Sequence, residues 1–113
     1  MSDADVIASL YFDTMDIYRK VKLVNEYGVT ELRETLIASN ISCSLDKKDD
    51  VIANGEVANI VAAYKVFCRP TINISTGDKL IITYNGLTDT FEAGEPYPYQ
   101  SHLEIPVTKE VRI

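Results

Sequence analysis

The chain has 113 residues, with 17 acidic and 11 basic side chains, one histidine and two cysteines, for a formal net charge of −6. That length fits a single domain over residues 1–113 with room for a core, and a content of 46% apolar and 25% charged residues lies away from that of disordered chains. The counts exclude a multi-histidine metal centre, a bilayer-spanning helix, for want of an apolar run near ~20 residues, and a strongly basic surface of the kind that grips phosphates.

Ser2-Asp3-Ala4-Asp5 has the form of an N-terminal capping box, and Val6, Ile7, Leu10 and Tyr11 follow on one helical face. A short helix packed against the domain is expected there. The acidic start is unlike the basic head of a signal peptide, so a soluble cytosolic product is expected. From Asp13 the period becomes two. Met15, Ile17, Arg19, Val21 and Leu23 alternate with Asp16, Tyr18, Lys20 and Lys22, which predicts a strand with one mostly apolar face. Asn25-Glu26-Tyr27-Gly28 reads as a turn. Thr30 to Leu45 is a long extended stretch whose apolar face slips near Ala38-Ser39-Asn40, the mark of a bulge or corner. Asp46-Lys47-Lys48-Asp49-Asp50 then opens the most polar stretch, which runs to Glu56, includes the turn pair Asn54-Gly55 and is expected to be a long surface loop.

Ala58 to Arg69 is apolar on both faces and predicts a strand covered on both sides. Pro70 ends it, and Ser75-Thr76-Gly77-Asp78 is a turn. Lys79–Tyr84 and Leu87–Glu92 flank Asn85-Gly86, the strongest short-range hairpin cue. A two-residue turn there pairs Tyr84 with Leu87, Leu80 with Phe91 and Lys79 with Glu92. Gly94 to Ser101 carries two prolines and is expected as an aromatic-rich extended loop. A closing strand follows, placed at an edge because of Pro106. With about six strands and no βαβ alternation, the expected fold is mainly β: a small antiparallel β-barrel with a short N-terminal helix and a long polar loop.

The residues offer catalysis little. Cys43 and Cys68 are 25 positions apart, lack CxxC spacing and fall in apolar alternating runs, where a thiol is a small buried hydrophobe. With His102 they are too few for zinc. A disulfide between them is the lesser expectation in a chain without a secretory signal. No G-x-S-x-G, GK[ST] or G-x-G-x-x-G occurs. No catalytic, cofactor-binding or metal site is assigned, and the chain is not expected to be an enzyme. Two other functions are weighed. A barrel stacking single-stranded nucleic acid on Tyr97 and Tyr99 needs basic neighbours, whereas residues 94–101 hold Glu95 and no Lys or Arg. A small enzyme using Cys43 or Cys68 with His102 lacks an orienting group. Leu10, Tyr11, Tyr97 and Tyr99 are instead the candidate interface residues, since such side chains add contact area at low entropic cost.

Several features together resemble the small head-closure, or stopper, proteins of tailed bacteriophages and prophages. They are a strand ending at Cys68-Arg69-Pro70, the Ile-x-x-Gly-Asp-x-Leu pattern from Ile74 to Leu80, a hairpin ending in Phe91-Glu-Ala-Gly94-Glu-Pro, and Ser101-His102 before a last strand, Leu103 to Lys109. The first half is similar too, with Asp13-Thr14-Met-Asp-Ile17-Tyr18-Arg19 opening a strand before a long β-stretch and a polar loop. The resemblance implies a structural subunit of a ring, commonly of twelve, beneath the portal and its adaptor. Such a ring closes the DNA channel after packaging and presents the tail-docking surface. The partners implied are the portal or adaptor ring, tail proteins and further copies of the chain. Double-stranded DNA passes through without specific binding, and no membrane is involved. The location implied is the virion, assembled in the bacterial host cytoplasm. Some relatives are adaptors or tail-completion proteins. By position the family's channel loop is Asp46 to Val57, with Asp46, Lys47, Lys48, Asp49, Asp50, Asn54 and Glu56 as its polar residues. Asp46, Asp49, Asp50 and Glu56 are expected towards the lumen, where like charge lets DNA slide. Residues 1–57 hold 11 acids and 6 bases against 6 and 5 in residues 58–113, so the acidity lies mostly in the half containing that loop.

Overall fold

The computed structural model describes residues 3, 6, 10–54 and 57–110, with 48–54 and 57–62 described by their strand backbone alone. The strands are β1 (Asp13–Val24), β2 (Thr30–Asn54), β3 (Val57–Cys68), β4 (Lys79–Tyr84), β5 (Leu87–Ala93), β6 (Tyr97–Pro98) and β7 (Leu103–Lys109). Every pairing is antiparallel. The pairing closes on itself: β1 lies beside β2, β2 beside β3, β3 beside β7, β7 beside β5, β5 beside β4, and β4 beside β1 again. The result is a mainly β chain with a ring of hydrogen bonds, to which the two-residue β6 adds at β7.

No helix stands among the described elements, so the expected N-terminal helix is not borne out as an element; Asp3 and Val6 have helical backbone, and the rest of residues 1–9 lie outside those described. A helix of two or three turns has few hydrogen bonds of its own and depends on packing. Of the face assigned to it, Leu10 is exposed and Tyr11 is half-buried.

The core follows from the period of two. Met15 and Ile17 of β1, Cys43 of β2, Val66 and Cys68 of β3, Leu80 and Ile82 of β4, Phe91 and Ala93 of β5, and Leu103, Ile105 and Val107 of β7 all point inward and are buried. Ile74 joins them from the segment before β4. The slip foreseen near Ala38-Ser39-Asn40 is a bulge. Met15 pairs with Ile41, Ile17 with Ala38 and Tyr18 with Leu36, so β2 gains a residue at each step. Asn40 takes a left-handed backbone (φ 54°), which asparagine tolerates better than most residues. The Asp16 carboxylate accepts its freed N–H at 2.8 Å.

The Asn85-Gly86 hairpin forms with the expected register, and both turn residues have positive φ as a type I′ turn requires. Pro106 does not mark an edge: β7 has β3 along one side and β5 with β6 along the other. The Pro106 carbonyl accepts from the Gly94 N–H at 2.7 Å. Its ring nitrogen therefore faces the same gap between β5 and β6, where no strand calls for a donor. Gly94 is needed there, because a Cβ would lie 3.0 Å from Pro106.

The polar stretch from Asp46 is the larger correction. It is not a loop: β2 continues through Asn54 and pairs residue by residue with β3, from Cys43–Cys68 to Asn54–Val57. Nothing between Asp46 and Asn54 breaks a strand, the register sets Asp46 opposite Lys65, and Asn54-Gly55 stands at the hairpin's end. Glu56 lies outside the described residues.

Two ribbons thus leave the ring. In the first, Arg19–Val24 pairs with Thr30–Thr35 and with no third strand; in the second, Lys48–Asn54 pairs with Val57–Ala63 alone. The radius of gyration is 16.6 Å, against about 13 Å for a compact chain of this length.

Candidate interaction surfaces

The first ribbon turns at Asn25, whose side-chain oxygen accepts the N–H groups of Tyr27 and Val29. Gly28 supplies the left-handed residue (φ 74°). One ribbon face carries Tyr18 opposite Leu36, Lys20 opposite Glu34, Lys22 opposite Leu32 and Val24 opposite Thr30. Leu32 is 66% exposed and Tyr27 at the tip 82% exposed, so this is uncovered apolar surface between charges. Sequence reasoning took these residues for an ordinary strand and turn and missed their exposure, because alternation alone does not say whether a face meets a core.

A second surface gathers the four interface candidates around two residues not counted among them. The Tyr97 and Tyr99 ring centroids are 4.8 Å apart, and Tyr99 stacks on His102 at 4.7 Å. His102 in turn lies 5.7 Å from Phe67. Leu10 and Tyr11 border a groove with Ser44, Phe67 and His102, and the Tyr11 hydroxyl reaches the Cys68 carbonyl at 3.4 Å. Alternation along β3 sets Phe67 on the face opposite Val66 and Cys68, whereas nothing in the sequence signals His102 as the link. Ser101 Oγ sits 3.0 Å from His102 Nδ1. Lys65 is paired with Glu104 at 2.9 Å.

A third cluster explains the Gly-Asp turn. Asp78 is 2% exposed, and its carboxylate accepts from Arg19 Nε and Nη2, both at 2.8 Å, and from the Ser75 N–H at 2.8 Å. Backbone bonds then tie Gly77 and Asp78 to Ala93 of β5. The turn fastens β4 to β1 and β5, which is a structural role. The cleft around it is lined by both signs of charge, Lys20 and Lys79 among Glu34, Glu92 and Glu110.

The cysteines are buried inside the ring. Burial pushes both thiols up to about 12, away from the thiolate a nucleophile needs. Strand alternation sets Cys68 inward and Phe67, with His102 beside it, outward, so thiol and imidazole lie on opposite sides of β3. Among the described residues no group of three or more His, Cys, Asp or Glu side chains could hold a metal.

Tyr84 donates to the Asp89 carboxylate at 2.5 Å, and that bond, with burial, pushes its hydroxyl up to about 12. Burial also raises Tyr11. These groups and both thiols are acids held protonated in the folded chain. The unfolded chain releases those protons first, near pH 9 for cysteine and 10 for tyrosine. Stability is therefore complete below pH 9 and falls as pH rises towards 12. Thermal melts should show a fall on the order of 10 °C between pH 9 and 11, smaller in Tyr84→Phe. A flat profile would contradict these assignments.

No protein-family model and no curated protein matches the chain. Its fold is similar to that of the phage-like element PBSX protein xkdH from Bacillus subtilis, with a TM-score of 0.55 and 16% identity, over 88% of this chain and 96% of that one.

Proposed function

We propose that the chain is a structural subunit of the head-tail connector of a tailed phage or prophage. It forms a ring that closes the capsid DNA channel and presents the surface onto which the tail docks. The observation that carries this reading is the likeness to a protein of a phage-like element over nearly the whole of both chains. At that identity the likeness supports a shared fold, and the role follows from the fold together with the resemblance read from Ile74-Ser-Thr-Gly77-Asp78-Lys-Leu80 and its neighbours.

The architecture supports it. The ring of strands is a small barrel in this reading, a rigid body that leaves two ribbons to reach neighbours or the channel. The segment from Asp46 to Val57, a strand hairpin and not a loop, is the element proposed to enter the channel. Asp46, Asp49, Asp50 and Glu56 outnumber Lys47 and Lys48 there, which disfavours tight phosphate contacts and lets double-stranded DNA slide. The first ribbon and the Tyr97–Tyr99–His102–Phe67 row are proposed contacts with the portal or adaptor ring, the tail and neighbouring copies. In this reading the protein belongs to the virion and is assembled in the host cytoplasm. Stacking of single-stranded nucleic acid on Tyr97 and Tyr99 is disfavoured: the rings pack on each other and on His102, and Lys65 is held by Glu104.

The test shortens the second ribbon in phase. Residues 49–62 are replaced by Asn-Gly, which joins the paired positions Lys48 and Ala63 by a two-residue turn. In a phage carrying the gene, particles with the shortened subunit should still attach tails but lose packaged DNA. Deleting the gene should leave tailless heads. DNA retained as well as in the parent phage would refute the channel role, and tailed particles without the gene would refute the connector itself.

A further inference from the structure

In the sequence Cys43 and Cys68 are 25 positions apart and look unrelated. The fold makes them direct cross-strand partners in the β2–β3 register. Directly opposite residues of antiparallel strands point to the same face. Here that face is the interior, where both cysteines are fully buried and their thiols are free. Opposite residues hold their Cα atoms about 4.5–5.5 Å apart, within the ~4.4–6.8 Å that a disulfide spans. We propose that Cys43 and Cys68 form an oxidation site, which a small-molecule disulfide converts to a cross-strand cystine without moving the backbone.

The location gives the bond a purpose. The pair stands at the last rung of β3, where Cys68 also pairs with Leu103 of β7. Beyond it, towards Asn54 and Val57, the second ribbon leaves the ring. A bond there fixes β2 to β3 within the ring, five rungs before the ribbon starts at Lys48 and Ala63. The chemistry balances with oxidised glutathione as oxidant. One cysteine thiolate attacks a glutathione sulfur, that S–S bond breaks, and the departing glutathione thiolate takes up a proton. The second cysteine thiolate then attacks the protein sulfur of the mixed disulfide and expels the second glutathione. Two protein thiols are oxidised and one glutathione disulfide is reduced to two thiols. Burial keeps the thiols protonated, so the step waits on local opening at the strand end and is slow.

The inference concerns the chain alone and stands apart from the connector reading. The experiment is to incubate the folded protein with oxidised glutathione, quench it in acid, and measure intact mass and peptide linkage. The expected product is a monomer lighter by about 2 Da, with one peptide pair joining Cys43 to Cys68. Its Tm should rise on the order of 10 °C and return on reduction. Cys43→Ser should yield no internal bond, only a mixed disulfide at Cys68 once opened. Thiols that stay free at equilibrium, a stalled glutathione adduct on the native chain, or crosslinked dimers would each overturn the proposal.

Discussion

Replacing Arg19 by methionine is expected to destabilise the chain by about 3–5 kcal/mol, because it leaves a buried carboxylate without its cation. Asp78 is 2% exposed and would retain only the Ser75 N–H among its three donors. The reverse change should cost less. Arg19 is 25% exposed and, without Asp78, can turn its guanidinium to water. Asp78→Leu should therefore fall below the Arg19 variant in cost, although both break the same two Arg19–Asp78 hydrogen bonds. The double variant Arg19→Met with Asp78→Leu should recover much of the loss, since a buried ion pair is often replaceable by packed apolar groups. Urea unfolding of the four proteins gives the cycle. Equal costs for the two single changes would show that the carboxylate is not the stranded partner.

Phe91→Ala is the second large effect, at about 3–5 kcal/mol. Phe91 is fully buried in β5, pairs across to Leu80 and lies edge-on to Tyr64 at 5.3 Å. Tyr84 closes the other side at 6.4 Å. These neighbours are anchored in the paired strands β3 and β4, so no single one can move in to fill the space. Phe91→Leu keeps part of the volume and should cost less. An unchanged urea m-value would show that the native ring persists around the cavity. A cost below about 1 kcal/mol would mean that the core collapses onto the gap.

Strand positions were legible where local chemistry and pairing agree. Asn85-Gly86 fixes its own turn, and the register that follows sets apolar on apolar and Lys79 on Glu92. The bulge was legible because a face that slips must gain a residue. The second ribbon was not. Charge between Asp46 and Asp50 was read as solvent-facing loop, yet a two-stranded ribbon has no core and needs no apolar alternation. Its true signal was negative: no glycine or proline before Asn54-Gly55. Pro106 misled for a similar reason, since a proline bars one hydrogen bond, not a whole strand position. Arg19 held an overlooked clue. It sits in phase with Met15 and Ile17, and a cation on an inward-facing row calls for a buried acid. Tyr97 and Tyr99 were named from their residue type, and only the fold shows that His102 and Phe67 lie beside them.

Tyr18 is the last residue of β1 with a strand on each side. Past Arg19 and Glu34, which Asp78 and Lys79 hold to the ring, the described residues of the first ribbon have only the ribbon's own bonds. A fluctuation that frees the tip breaks those bonds and no others, whereas the root opens only with the ring. Protection of backbone amides from solvent exchange should therefore decline stepwise from Tyr18 and Leu36 towards Asn25. The ribbon then retains conformational entropy that the ring has already lost, and any partner that closes over Val24, Leu32 and Tyr27 must remove it. Binding there would be selective and reversible rather than tight.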